Sequence, residues 1–170
     1  MTALAVAVVI STSLGDITVK LDQKKAPITV ANFLKYVKDK HYDGTVFHRV
    51  IKGFMIQGGG FDEKLHEIGA KYPPVKNESR NGLKNVVGAI AMARTNDPDS
   101  ATDQFFIDTV DNARLDNPPG YCVFGKVVKG LDVVRKIESS RTETKPSADG
   151  VPLADAPVTT VLIKSIRLAK

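Results

Sequence analysis

Residues 47–60 read FHRVIKGFMIQGGG. An arginine stands among apolar residues, and three consecutive glycines follow it. Arginine is rarely buried without a partner, and glycine loses more backbone freedom on folding than any other residue. Both departures in one stretch point to a site. If Val46–Ile51 is a strand, Phe47, Arg49 and Ile51 share one face, and His48 and Val50 share the other. Gly53 permits a bend, and Phe54, Met55 and Gln57 follow at once. The set offers a cation with five hydrogen-bond donors, an aromatic ring, a thioether and an amide. It holds no nucleophile and no acid–base pair. Two readings of Arg49 stay open here: a structural cation paired to a carboxylate, or the centre of a site.

Other chemistries fit less well. Gly58-Gly59-Gly60 resembles a phosphate loop only superficially, because no GK[ST] follows and no GxGxxG or βαβ pattern surrounds it. His41, His48 and His66 lack metal-ligand spacing, so no metal site is expected. A Ser-His-Asp arrangement has the residues but no G-x-S-x-G elbow. Cys122 is the single cysteine of the chain. It allows no internal disulfide and no thiolate cluster, and its apolar surroundings in YCVFGKVV favour a buried, inert thiol.

The 170 residues fit one domain, 1–170, with 42% hydrophobic and 25% charged residues, which are ordinary values for a globular chain. The formal charge is +5, from 24 Lys and Arg against 19 Asp and Glu. The cations are scattered, no polybasic arm forms, and nucleic-acid binding is not expected. The apolar run Ala3–Ile10 is too short to span a membrane and has no basic residue before it, so no membrane partner is expected. Its β-branched content and the following Gly15-Asp16 favour a first hairpin and a cytoplasmic protein. A chain numbered after removal of a signal would look the same, and would then be periplasmic or secreted. Asn77-Glu78-Ser79 fits a glycosylation sequon, which carries little weight without a sign of secretion.

Two segments have helical periodicity. In APITVANFLKYVKDK, Val30, Phe33, Leu34 and Val37 fall on one face. Pro27 suits the first helical position, and Lys35, Lys38 and Lys40 suit the end. In GLDVVRKIES, Leu131, Val134 and Ile137 lie on one side. Expected strands are Ala5–Thr12, Asp16–Leu21, Val46–Ile51, Met55–Gly58, Ala89–Ala93, Gln104–Thr109, Val123–Val128 and Val158–Leu168. Turn chemistry separates them at Asn96-Asp97-Pro98, Asn117-Pro118-Pro119-Gly120 and Asp149-Gly150. Lys71–Arg80 and Arg141–Pro157 read as long surface loops. Many short strands with two helices make either a β-barrel or a sandwich.

FHRVIKGFMIQGGGF resembles the signature of the cyclophilins, the peptidyl-prolyl cis–trans isomerases. GAIAMAR (88–94), SATDQFFI (100–107) and YCVFGKVVKGLDVV (121–134) resemble further cyclophilin blocks in the same order. The helix APITVANFLKYV and the KNE at 76–78 fit as well. The resemblance runs from about Val8 to Leu168 and is closest to the bacterial branch. It implies a mainly β fold, an eight-stranded antiparallel closed β-barrel capped by two α-helices, with the groove outside the barrel. It implies no cofactor, and as partners proline-containing peptides and unfolded or folding proteins. Short loops favour a monomer.

By the same resemblance Arg49 is the catalytic arginine, and Phe54, Met55, Phe106 and Leu115 wall the proline pocket. Gln57 and Gln104 are groove amides that hold substrate backbone. Ala93, Arg94 and Thr95 form the groove edge for residues before proline. Arg94 replaces an asparagine of many eukaryotic members, and Tyr121 stands where many have histidine. Arg114 replaces a tryptophan that helps bind cyclosporin, so weak cyclosporin binding is expected. Arg94 and Arg114 beside the groove would favour acidic substrates. The alternative to an enzyme is a non-catalytic proline-peptide binding module or chaperone on the same fold.

Overall fold

Alternating burial marks the first hairpin of the computed structural model, which describes residues 5–170. β1 (Val6–Thr12) and β2 (Gly15–Leu21) pair from Val6–Leu21 to Thr12–Gly15, which leaves Ser13 and Leu14 as the turn. Val8, Ile10, Ile17 and Val19 point inward and are fully buried. Ala3 and Leu4 of the apolar run lie outside the described residues.

The remaining elements are α1 (Pro27–Lys38), β3 (Thr45–Val46), β4 (Arg49–Ile51), β5 (Met55–Gly58), β6 (Ala89–Met92), β7 (Phe105–Asp108), a 3₁₀ turn (Ala113–Asp116), β8 (Val123–Lys129), α2 (Leu131–Glu138), β9 (Thr142–Pro146), β10 (Pro152–Pro157) and β11 (Leu162–Leu168). Nine strands form one antiparallel sheet in the order β3-β11-β1-β2-β8-β6-β7-β5-β4. Its two edges, β3 and β4, are successive pieces of one segment joined by Phe47 and His48. The sheet therefore curls into a barrel whose seam is that segment. The expected eight strands become nine because Val46–Ile51 is broken in two. The ring is completed by the chain itself and by Gly59 N donating to Val46 O (3.4 Å), not by an unbroken ladder.

The break also changes which residues share a face. Phe47 was expected to point with Arg49 and Ile51, but it is buried in the barrel core with Val50. The backbone of β3 bonds toward β11 and Phe61, while β4 bonds toward β5, so the two-residue alternation resets at His48. Gly58 packs into this corner. A Cβ on it would lie 2.8 Å from Val46 O and 3.1 Å from Phe47 Cδ1.

Other boundaries shift for local reasons. β11 starts at Leu162, since Val158 and Thr159 form a bend with Val158 exposed and Thr160 and Val161 lie outside the ladder. Arg141–Pro157 is not a loop: β9 and β10 pair there as a separate hairpin around Asp149-Gly150. Lys71–Arg80 is irregular apart from a bridge between Val75 and Ala101. On α2, Val133, Val134 and Ile137 are buried, whereas Leu131 is 38% exposed.

α1 closes one opening of the barrel. Its Phe33 ring meets Tyr42, Phe105 and Phe124 at centroid distances of 5.3, 5.8 and 5.2 Å. No side chain of its own caps its first turn. Glu78 does so from the KNE stretch, taking bonds from Ile28 N (3.3 Å), Thr29 N (2.7 Å) and Thr29 Oγ1 (2.7 Å). A carboxylate at the positive end of a helix dipole is favourable, and it satisfies donors the helix leaves unpaired. No helix among the described residues is long and apolar enough to cross a membrane.

Candidate functional site

Strand alternation divides the apolar residues of β5, β6 and β7 between two clusters. Ile56, Ile90, Met92, Phe105 and Ile107 face the barrel interior. Met55, Ala89, Ala91 and Phe106 face outward, where Val123, Phe54, Leu115 and Tyr121 join them. The register sets Arg49 opposite Gln57, Gln57 opposite Phe106, and Phe106 opposite Ala91. A cation, an amide, an aromatic ring and a small residue thus line up across the outer face.

A cleft of about 180 Å³ opens over this row, lined by Arg49, Phe54, Met55, Gln57, Ala93, Arg94, Phe106, Leu115 and Tyr121. A second cavity of about 290 Å³ shares Gln57, Ala93 and Arg94 with it and adds Thr95 and Gln104. All eleven residues singled out in the sequence line one cavity or the other. Glu67, Ile68, Ser100 and Asp103 of the second cavity were not anticipated, because only the fold brings them together. A larger cleft of about 500 Å³ lies elsewhere, between β2 and β8, and contains none of the eleven.

Arg49 is half-buried, and its guanidinium is held by an amide. Nη1 donates to Gln57 Oε1 at 3.2 Å, and Gln57 Nε2 donates to Gln104 Oε1 at 3.1 Å. The ion pairs found among the described residues join other side chains, so the carboxylate partner left open for Arg49 is not there. The glycine triplet seats this relay. Gly59 has φ +93°, and a Cβ on Gly60 would lie 2.4 Å from the Gln104 amide. His48, next to Arg49 in the chain, packs at a tilt against Phe61, with ring centroids 4.6 Å apart. Burial, helped by the Arg49 charge, holds its imidazole down at about 4, so it is neutral at neutral pH.

Arg94 is more occupied than its sequence position suggests. Nε and Nη2 donate to Gly120 O (3.1 and 2.9 Å), Nη1 donates to Thr95 O (2.9 Å), and the guanidinium lies 4.2 Å from the Tyr121 ring centroid. Tyr121 in turn packs edge-on against Phe106 at 5.8 Å. Arg94 thus fastens one wall of the cleft, a cation–π contact reinforced by hydrogen bonds. Arg114 is exposed on the 3₁₀ turn and lines neither cavity. Of the two cations expected beside the groove, only Arg94 lines it, and its partners there are neutral.

The opposite wall is pinned from behind. Phe54 O accepts from Thr109 N (3.1 Å) and from Asn112 Nδ2 (2.9 Å). Gly53 N donates to Glu138 Oε2 (3.0 Å), and Arg135 bonds Glu138 at 3.1 Å. Asn112 Nδ2 also donates to Asp108 Oδ1 at 2.7 Å. Asp108 is fully buried and its Oδ2 has no partner. Burial pushes its carboxyl up to about 7; the Asn112 bond opposes this, and Asp116 and Asp111 add to it. Sequence reasoning missed Asp108, Asn112 and Glu138. Only Asp108 left a trace, as an acidic residue at the end of an apolar strand.

Among the described residues no cluster of His, Cys, Asp and Glu suits a metal. Cys122 is buried, with Sγ 3.4 Å from Thr29 Oγ1, and burial raises its thiol.

Residues 7–167 match the family model of cyclophilin type peptidyl-prolyl cis-trans isomerases. The chain is 51% identical over 162 residues to a peptidyl-prolyl cis-trans isomerase of Acinetobacter baylyi, covering 94% of this chain and 86% of that one. It is 48% identical to peptidyl-prolyl cis-trans isomerase B of Escherichia coli, covering 94% of this chain and 97% of that one. A cyclophilin type isomerase of Cryptosporidium parvum, solved in the presence of the dipeptide Ala-Pro, superposes with a TM-score of 0.80 at 26% identity, over 96% and 99% of the two chains. This chain belongs to the cyclophilin-type peptidyl-prolyl cis–trans isomerases, and its nearest likenesses among these relatives are bacterial.

The buried Asp108 has a consequence for stability. Its carboxyl stays protonated in the folded protein up to about pH 7, whereas the unfolded chain releases that proton near 4. Stability therefore falls as pH rises between those values and is flat above them. Asp108→Asn is expected to be the more stable protein above pH 7, by up to about 4 kcal/mol. Urea unfolding at several pH values checks this, and the gap should close as pH falls toward about 4.

Proposed function

We propose that this isomerase works without covalent chemistry, with Arg49 stabilising the twisted X–Pro amide. The barrier to rotation is amide resonance, about 18–20 kcal/mol, and uncatalysed exchange at X–Pro takes tens to hundreds of seconds. Twisting breaks the conjugation and returns a lone pair to the proline nitrogen. The catalyst has to hold the ring, grip the peptide on one side and stabilise the twisted state.

The groove supplies each part. Phe54, Met55, Phe106 and Leu115 form the apolar slot for the pyrrolidine ring. Ala93, Arg94 and Thr95 form the edge along which residues before proline lie, with Gln57 and Gln104 as backbone-binding amides and Tyr121 closing the slot. Arg49 donates to the proline nitrogen as it pyramidalises. A donor that strengthens only at the transition state raises the rate and not merely the affinity. Lowering the barrier by about 7 kcal/mol gives roughly 10⁵-fold acceleration. Arginine suits the task because it stays protonated at any working pH.

One observation carries this reading. The Arg49 guanidinium meets an amide at 3.2 Å and no carboxylate, so its charge is not neutralised before substrate arrives. Substrates on this account are exposed X–Pro bonds in peptides and in unfolded or folding proteins.

NMR exchange on an Ala-Pro peptide tests the assignment. Arg49→Ala is expected to lose about 10²–10³-fold in catalysed exchange, the range for removing one transition-state donor, while still binding the peptide. Binding without acceleration by the intact protein would instead mark a proline-peptide binding module. Arg114, exposed beside Leu115, offers no indole surface, so cyclosporin affinity is expected to be weak. Calorimetric titration checks this, and nanomolar binding would contradict it.

A further inference from the structure

The groove is lined by arginine, tyrosine, amide and apolar side chains, classes whose ordinary titration lies outside the neutral range. On the mechanism proposed above, no proton is transferred. The rate should then be indifferent to pH near neutrality unless a group behind the groove intervenes.

Asp108 stands in that place. It is the last residue of β7, directly opposite Met55 in the ladder, and on the outward side of the strand. Residues opposite each other in an antiparallel pair have Cβ atoms only about 4.5–5.5 Å apart. Its Oδ1 takes the Asn112 amide at 2.7 Å, and the same amide nitrogen reaches Phe54 O at 2.9 Å. Asp108 is thus linked to both residues that form this wall of the proline slot, to Met55 by its place in the ladder and to Phe54 through Asn112. Its Oδ2 is buried and unpartnered.

We propose that Asp108 is a positioning residue for the proline slot, and that its ionisation, transmitted through Asn112, shifts the Phe54–Met55 wall and weakens the grip on substrate. This rests on the isomerase reading of the groove. The surrounding charges set the direction. The loop after β7 brings Asp111, which accepts from Val87 N, and Asp116, which accepts from Asn85. α2 brings Arg135 and Glu138, which are bonded to each other, to Thr109 O and to Gly53 N. β5 and β6, the flanking strands, carry no charged residue. Ionisation strengthens the bond from Asn112 Nδ2 to Oδ1, which draws that amide away from Phe54 O, and it adds a third carboxylate to the two already on the loop that holds Asn112 and Leu115. The raised carboxyl, near 7, puts this change in the neutral range.

The test is NMR exchange and peptide affinity for an Ala-Pro peptide between about pH 5 and 9, on the intact protein, Asp108→Asn and Asn112→Ala. Catalytic efficiency of the intact protein is expected to fall roughly fivefold across neutrality, the low end of coupling between linked sites. The fall should be absent in Asp108→Asn, which keeps the shape and the Oδ1 acceptor. It should be absent too in Asn112→Ala, where Asp108 still titrates but its link to Phe54 is cut. His41→Gln, which removes the imidazole paired with Asp103 behind Gln104, should keep the fall. An unchanged pH profile in Asp108→Asn overturns the proposal and leaves the Arg49 mechanism standing. If no protein accelerates exchange at any pH, the Arg49 mechanism fails. Peptide affinity then decides: a pH step lost in Asp108→Asn supports the positioning role, and the same step in both overturns it.

Discussion

The site depends on a chain of hydrogen bonds that begins at a missing side chain. Gly60 leaves room for the Gln104 amide, Gln104 accepts from Gln57, and Gln57 accepts from Arg49. Each link is a neutral amide. An arginine held by a carboxylate would arrive with its charge already compensated, whereas one held by amides is oriented and still electrostatically available. Other parts of the groove are likewise fixed by something other than substrate: the Arg94 side chain by Gly120 O and the Tyr121 ring, and the backbone carbonyl of Phe54 by Thr109 and Asn112. Preorganisation of this kind spares the cost of ordering these groups when substrate binds.

The barrel makes such order possible by separating two tasks on the same strands. Inward residues of β5, β6 and β7 complete a core with the aromatic rings of α1 and its neighbours. Outward residues of those strands are released from core packing and form the cleft. The register then carries chemistry across the sheet, since Arg49, Gln57 and Phe106 stand in one row because three strands pair without a bulge there. The seam at Phe47–His48 matters equally. Without the reset of alternation at that point, Phe47 and Arg49 would compete for one face.

Much of this was legible in the chain. Alternating apolar residues located the strands of the sheet, and the 3.6-residue period located both helices. FHRVIKGFMIQGGG stood out because an arginine and three glycines in an apolar run conflict with ordinary folding preferences, and its Arg49, Phe54, Met55 and Gln57 line the candidate cleft. The residues supplied by family resemblance all line the cavities. What stayed hidden was long-range. The break at Phe47–His48 follows from competing partners in β11 and β5, which a local pattern does not reveal. The hairpin at Arg141–Pro157 is polar and poor in β-branched residues, so it read as loop. Glu78 capping α1 across 49 residues, and Asp108 reaching Phe54 through Asn112, are contacts that only the folded, curled sheet creates. Arg114, expected beside the groove because it stands where relatives carry a tryptophan, is exposed on the 3₁₀ turn next to the lining residue Leu115.

The most direct measurement of the central claim is catalysed exchange of an X–Pro peptide by Gly60→Ala. The atoms nearest to the added methyl all belong to the flexible Gln104 side chain, so the amide that seats Gln57 and Arg49 is the group pushed aside. The account requires the rate at saturating peptide to fall by roughly tenfold or more, as small misplacements of a catalytic group do, while affinity falls as well because Gln104 also holds substrate backbone. Full catalytic rate in a folded Gly60→Ala protein would show that Arg49 does not depend on the amide relay, and would contradict the account.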